Sequence, residues 1–429
     1  MSQDNAEKLI RHMKKVLDAT ERGEYEPPLK VGFNGAITYP KGFKAAGVRA
    51  GIKEKGEDLA IIYSEQPAVA AGVFTTNVVK AAPVILSQPK LPRATARAIV
   101  VNSGNANACM GEQGMRDAYA MTSEVASLLD IDESDVFVAS TGVIGRAMPM
   151  DKIHTGIKQA VETLSVDGGA DAARAIMTTD TFAKEVAIEF SVIGGVKARI
   201  AGIAKGAGMI CPNVATMLSF ITTDLAITQE MLQKCLSESA EVSYNCLTID
   251  GDTSTNDTVI MMANGMAGNP VIDSEGSDLT KFQILLDSVT MKLAELIADD
   301  GEGATKSVGV MVQGAKSYDD CRQIAKTIAN SPLVKTALFG CDPNWGRILA
   351  AAGRAGVDFD PKAIELRLGD ILLVQNGEPA QYSEQEAHEY LLQKNILIDL
   401  SVGNERWGAT VMTCDFSYDY VKINAEYHT

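Results

Sequence analysis

Residues 182–224 read FAKEVAIEFSVIGGVKARIAGIAKGAGMICPNVATMLSFITTD, and this stretch decides the class of fold. Two apolar, β-branched runs, FAKEVAIEFSVI and VKARIAGIA, flank Gly194-Gly195. That pair supplies the positive φ angles of a tight hairpin, so the spacing predicts two antiparallel strands. A third β-rich run, MLSFITTD, follows a glycine-rich loop with no helical period in between. Consecutive strands without a crossover helix exclude a strict βαβ alternation.

Working outward, the chain alternates short β-rich runs with helical ones. DLAIIYSE, AGVFTTN, APVILS and ARAIVVNSGN read as β-rich upstream. The segment Gly114 to Leu129 places Ala118, Met121, Val125 and Leu128 on one helical face. DVFVASTG reads as a strand. Downstream come a helix from Thr228, strand DTVIMMANG, a helix over Asp278 to Asp299, strand KSVGVMVQG and a C-terminal strand series. The prediction is an α/β (α+β) protein, with layered mixed sheets flanked by helices. Asn5 to Thr20 carries Leu9, Ile10, Met13, Val16 and Leu17 at helical spacing, and a Pro-containing link runs on to about Lys30.

The composition narrows the function. The 429 residues are 46% hydrophobic and 22% charged, far from the composition of disordered chains. With 39 Lys+Arg against 55 Asp+Glu the net charge is −16, a mean field that repels phosphate backbones and anionic lipid. Nucleic acid and membrane are therefore not expected partners. No apolar run is long enough for a membrane span and the N-terminus lacks an apolar signal core, so a cytoplasmic protein is expected. The seven cysteines include no C-x-x-C, and the four histidines fall in no ligand spacing, so neither a disulfide framework nor a metal centre is expected.

Familiar catalytic frames are missing: there is no G-x-S-x-G elbow and no G-x-x-x-x-G-K-[ST] loop. Gly142-Val143-Ile144-Gly145 is only half of a dinucleotide fingerprint and reads equally as a strand-to-helix turn. The unusual segment is Lys205 to Asp224, KGAGMICPNVATMLSFITTD. Gly206 and Gly208 permit backbone conformations that other residues resist, Pro212 stiffens the approach to the Ala215-Thr216 bond, and a β-branched threonine has few rotamers, so its hydroxyl can be aimed. On chemistry alone, a threonine that opens a strand is also an ordinary strand former.

These motifs resemble the ornithine acetyltransferase family, the bifunctional glutamate N-acetyltransferase and amino-acid acetyltransferase of arginine biosynthesis. The resemblance runs from about Gly35 to Thr429 through GFKAAGVRAGIK, VFTTN, NSGNANACMG, STGVIG, MTTDT, KGAGMICPNVATML, DGDTSTND, DPNWGRI and KINAEYHT. The extension before about residue 30 lies outside it. The resemblance implies self-cleavage between Ala215 and Thr216, which divides the chain into an extension (1–30), an α chain (31–215) and a β chain (216–429). Thr216 then becomes an N-terminal nucleophile whose own α-amino group, with a reference pKa of about 7.7–8.0, serves as base. This accounts for acyl transfer without a catalytic histidine.

By the same resemblance Thr141 and Gly142 form the oxyanion hole. Thr179, Lys205, Thr216, Glu302, Asn424 and Thr429 bind substrate, with Lys205 suited to an α-carboxylate and Glu302 to a side-chain ammonium. Taken singly, each charge reads equally as a solvated surface group. The implied substrates are N2-acetyl-L-ornithine and L-glutamate, with acetyl-CoA as an open second acetyl donor, no cofactor, and an α2β2 heterotetramer. Two other classes stay open: a self-processing amidase or aminopeptidase that passes its acyl group to water, and a non-catalytic small-molecule-binding protein.

Overall fold

The structure is a computed structural model, which describes residues 30–192, 195–211 and 217–426. The helix expected over Asn5 to Thr20, the Ala215-Thr216 bond and Thr429 lie outside the described residues. Contacts divide the chain into two compact units, one holding residues 30–245 and 252–297, the other 246–251 and 298–426.

The larger unit is built on one mixed sheet of nine strands: β1 (Lys30–Val31), β2 (Phe43–Val48), β3 (Leu59–Phe74), β4 (Arg93–Asn105), β5 (Val136–Val143), β6 (Lys184–Ser191), β7 (Lys197–Lys205), β8 (Leu218–Thr223) and β9 (Thr258–Ala263). Their order is β1-β6-β7-β8-β9-β3-β4-β5, with β2 beside β3. The expected hairpin is there: β6 and β7 pair antiparallel from Lys184 opposite Ala204 to Ser191 opposite Lys197. Residues 193 and 194 of its turn lie outside the described residues. Among the described residues of this sheet only β4–β5 and β8–β9 are parallel, and each is spanned by a crossover helix, Gly111–Leu129 and Gln229–Val242 respectively.

Strand β3 joins the two halves of this sheet. DLAIIYSE and AGVFTTN, which read as separate runs, are one strand of 16 residues. Its first part pairs with β2 and β4, and its last six residues pair with β9. The register shifts between Tyr63 and Ala68, and Pro67, which has no N–H to give to a ladder, sits in that gap.

Alternate residues on the central strands enter different cores. Ala60, Ile62, Ile99, Val101 and Phe137 join Ile203, Leu218, Phe220 and Ile260 between the sheet halves. Leu59, Ile61, Val100 and Val138 join Ala118, Met121, Val125, Ile153 and Ile157 of the overlying helices. Leu128, expected on that buried face, lies in the last helical turn and is exposed. Burying a side chain such as Phe220 contributes about 1.5–3 kcal/mol. APVILS is a helix, Ala82–Ser87, rather than the β-rich run expected. Pro83 in its first turn has a φ preset for a helix and no N–H for a strand ladder, and a run of six residues carries too little period to tell the two apart.

Helix Ser277–Asp299 packs on the outer face of β7, where a Cβ on Gly202 would come within 2.8 Å of Leu293. Inside the helical layer, Asp287 is buried and accepts from Gln283 Nε2 at 2.7 Å. Burial pushes its carboxyl up to about 7, with Glu238 adding and Gln283 and Ser239 opposing. A raised folded-state pKa means that the folded chain keeps a proton the unfolded chain has released. Its stabilising contribution is present below about pH 4 and is lost as pH rises through 7. Asp287→Asn should therefore flatten the fall in Tm between pH 5 and pH 8. An unaltered slope would show that this carboxyl does not titrate in that window.

The smaller unit is a sheet of six strands: β10 (Ser307–Gln313), β11 (Glu365–Leu368), β12 (Ile371–Gln375), β13 (Glu378–Pro379), β14 (Asn395–Ser401) and β15 (Gly408–Cys414). The order is β13-β12-β11-β14-β10-β15, with β10–β14 as its parallel pair. Helices Tyr318–Ala329, Pro332–Phe339, Trp345–Gly353 and Glu384–Leu391 contribute to one core with Val308, Val310, Ile398 and Val411. The DPNW motif is a helix start, in which Asn344 Oδ1 accepts from the Arg347 N–H at 3.3 Å. The tail read as strand-rich ends differently, in the helix Tyr418–Glu426, none of whose residues is buried.

Candidate functional site

In the larger unit, the C-terminal ends of β4, β5 and β7 meet the N-terminal ends of β8 and β9. Thr141 and Gly142 lie just before Val143, the last residue of β5. Gly142 has φ 130°, and a Cβ there would lie 2.4 Å from the Gly104 carbonyl carbon and 2.6 Å from Asn105 N. Glycine is thus required by the contact between two backbones, not only to leave an N–H unshielded.

Lys205, at the end of β7, is 4% exposed. Its ammonium donates to Thr178 Oγ1 at 2.7 Å and to Thr141 Oγ1 at 3.3 Å. The Thr141 hydroxyl therefore spends a lone pair on a cation, while its own proton reaches no acceptor among the described residues. Such a hydroxyl is poised to donate to a developing negative charge. Thr179, the residue named from the resemblance, is half-buried next to Thr178 in sequence, and it is Thr178 that meets Lys205.

Beneath Lys205 lies a fully buried ion pair, Asp180 with Lys184 at 2.7 Å. Asp180 also accepts from the Gly206 N–H at 2.7 Å and the Thr178 N–H at 3.0 Å. Burial alone would raise this carboxyl, but the charges of Lys184 and Lys205 and the Lys184 hydrogen bond outweigh it and hold it well below the usual carboxylate range. Removing one partner of such a pair typically costs about 3–5 kcal/mol. Asp180 and Lys184 stand at i,i+4 in the sequence, a signal available there but indistinguishable from a surface pair until burial is known.

Cys211 and Met217, the described residues on either side of 212–216, are each bonded: Thr253 Oγ1 donates to the Cys211 carbonyl at 3.0 Å, and the Thr258 N–H donates to the Met217 carbonyl at 3.1 Å. Asp257, before β9, is 1% exposed, and neither of its carboxyl oxygens completes a hydrogen bond. Burial pushes it well above the usual range. The Met217 N–H, the Thr75 hydroxyl and the Lys205 charge oppose this and are outweighed by burial. The NSGNAN motif is structural glue: Asn105 Nδ2 donates to the Arg146 and Ala147 carbonyls, and Asn107 Nδ2 to that of Gly114.

In the smaller unit Glu302 is buried, and its Oε2 accepts from Asn424 Nδ2 at 2.8 Å. The loop that bears it is fastened by Asp415, which accepts from the Thr305 and Lys306 N–H groups at 2.8 and 2.9 Å. Asp415 and Phe416 lie beside Lys335, which is buried, donates to Thr413 Oγ1 at 2.7 Å and to the Cys414 carbonyl, and stands 4.6 Å from the Phe416 ring.

A layered α/β unit that presents a poised hydroxyl and a backbone-packed glycine beside a buried lysine has the features of an acyl-transfer protein. The comparisons with known proteins make the assignment more particular. The ArgJ family model matches residues 44–429. The arginine biosynthesis bifunctional protein ArgJ of Caldanaerobacter subterraneus subsp. tengcongensis is 50% identical over 400 residues, covering 92% of this chain and 99% of its own. That of Geobacter sulfurreducens is 51% identical over 394 residues, 91% and 99% of the two chains. A crystal structure of the Bacillus halodurans ArgJ protein is 42% identical and covers 49% of this chain and all of its own, with a TM-score of 0.48. The chain belongs to the ArgJ family.

Proposed function

We propose that this chain is the arginine-biosynthetic acetyltransferase that moves the acetyl group of N2-acetyl-L-ornithine to L-glutamate, after cutting itself between Ala215 and Thr216. The observation that carries the reading is the Thr141 hydroxyl, which takes a bond from Lys205 and keeps its own proton available. Family membership supplies the reaction. In the first half-reaction the Thr216 hydroxyl oxygen bonds to the acetyl carbon, and its proton passes to the Thr216 α-amino group. The oxyanion is held by Thr141 and Gly142. The C–N bond then breaks, and ornithine leaves with the proton from that amine. Glutamate's amine attacks the resulting acetyl ester, reversing the proton's path and freeing Thr216.

Lys205 is the partner for the α-carboxylate shared by both substrates. Thr179 is a further contact in the same unit, and Glu302, Asn424 and Thr429 are contacts proposed from the resemblance. The bifunctional character named for the relatives supports acetyl-CoA as a second donor. The cut chains are proposed to work as an α2β2 assembly in the cytoplasm. No helix among the described residues is long and apolar enough to cross a membrane.

Purified protein given acetylornithine and glutamate should yield ornithine and N-acetylglutamate with ping-pong kinetics. Release of acetate without glutamate would instead establish the amidase reading. Lys205→Met should raise KM for both substrates about tenfold or more, as expected when a buried charged hydrogen bond to a carboxylate is lost. An unchanged KM for either one would remove Lys205 as the shared clamp.

A further inference from the structure

The most tightly determined contact near Thr141 comes from a residue with no role in the mechanism so far. Asn256 is 6% exposed, and its Nδ2 donates to two backbone carbonyls, that of Ala106 at 2.6 Å and that of Ser140 at 2.8 Å. Two carbonyl acceptors on one side dictate which end of the carboxamide is the NH2. The other end accepts from Thr255 Oγ1 at 2.6 Å, and the Asn256 N–H is tied to Ser254 Oγ at 3.1 Å. The side chain is thus fixed at both ends.

What it fixes is the peptide leading into Thr141. The Ser140 carbonyl and the Thr141 N–H share one rigid plane, so orienting the first orients the backbone from which the Thr141 side chain and the Gly142 N–H project. The β4–β5 ladder is regular through Ser103 opposite Thr141 and Gly104 opposite Gly142 and shifts between Gly104 and Asn105, so this peptide stands at the last regular step of the ladder, where a side-chain bond adds to what the strand pairing supplies. The Ser140 side chain is engaged elsewhere, donating to Asn102 Oδ1 at 2.6 Å. Asn256 bonds β5 shortly before regular strand pairing stops.

We propose that Asn256 is a positioning residue for acetyl transfer, holding the Ser140–Thr141 peptide so that Thr141 and Gly142 face the reacting carbonyl oxygen together. This rests on the reading of those two residues as the oxyanion donors. Misplacing such donors by a fraction of an ångström affects the transition state more than substrate binding.

The test is kinetic and uses the self-cut enzyme. Asn256→Ala should lower kcat for transfer from acetylornithine to glutamate by about 10- to 100-fold, with KM for both substrates nearly unchanged. Asn256→Ser, which keeps one small donor, should lie between that variant and the unaltered enzyme. It also serves as the measured variant if the alanine protein does not accumulate. In a Thr141→Ala background, Asn256→Ala should cost less than it does alone, because one of the two donors it positions is already removed and only Gly142 remains to be misplaced. Losses that multiply, or a lowered Tm with unchanged kcat, would make Asn256 a structural tie only and overturn the inference while leaving the proposed function intact. If Thr141→Ala alone has no effect, the oxyanion reading fails, and the inference with it.

Discussion

Thr216→Ala protein is expected to run under denaturing conditions as a single chain of 429 residues, whereas the unaltered protein gives pieces of 215 and 214 residues. The difference is all-or-none because the hydroxyl removed is the attacking group. Its oxygen adds to the Ala215 carbonyl, the peptide bond breaks with the proton going to the Thr216 nitrogen, and water then opens the ester. Alanine offers no oxygen, and Cys211 lies five positions too early to substitute. The anchors on Cys211 and Met217 support this assignment, since a bond that cuts itself needs fixed flanks. The uncut variant should also lack acetyl transfer entirely, having neither the nucleophile nor the free α-amine. N-terminal sequencing decides the matter: a second piece that begins at any residue other than Thr216, or cleavage that persists in the alanine variant, would refute the assignment.

The second large effect is expected at Thr141. Thr141→Ala should cut correctly yet transfer acetyl groups at least about 100-fold more slowly, in line with the roughly 2.7–4 kcal/mol typical of one oxyanion donor. KM should change little, since the bond matters chiefly when the carbonyl oxygen carries charge. Thr141→Ser, which keeps a hydroxyl that Lys205 can engage, should recover much of the lost rate. The bond from Lys205 gives this prediction its direction: a hydroxyl already accepting from an ammonium gains little by accepting again and is left to donate. Steady-state turnover of the two variants, corrected for the fraction of cut protein, is the measurement. Full activity in Thr141→Ala would exclude its hydroxyl from the chemistry.

The order of strands and helices was largely legible because each carries a local period. The β6–β7 hairpin, the helix capped by Thr228, whose Oγ1 accepts from Met231 N at 3.4 Å, and strands β5 and β8–β10 lie close to where alternation and helical spacing put them. Legibility failed where the period was short or the cause was distant. Ala82–Ser87 is too brief for its apolar residues to distinguish helix from strand, and only packing beneath β5 decides it, where Ser87 Oγ donates to the Val138 carbonyl at 2.9 Å. The register shift in β3 around Pro67 likewise accompanies a change of neighbour on one edge, from β2 to β9.

For the site, Thr141, Gly142 and Lys205 could be named because their motifs resemble those of a known family, whereas the residue types alone read as a strand end, a turn and a solvated charge. Sequence alone also settled what net charge opposes and which catalytic frames are missing. It could not assign partners. That Lys205 bonds Thr178 and Thr141, that Asp180 and Lys184 form a buried pair, and that Asn256 holds the carbonyl before Thr141 are contacts between residues 4 to 116 positions apart. Hydrogen bonds and ion pairs act over a few ångströms and their strength depends on exclusion of water, so neither partner nor magnitude exists until the chain has folded. The sequence by itself determined which groups are present and which local elements carry them. Tertiary structure alone decided which hydroxyl is left with an unspent proton, and which buried carboxamide sets the backbone beside it.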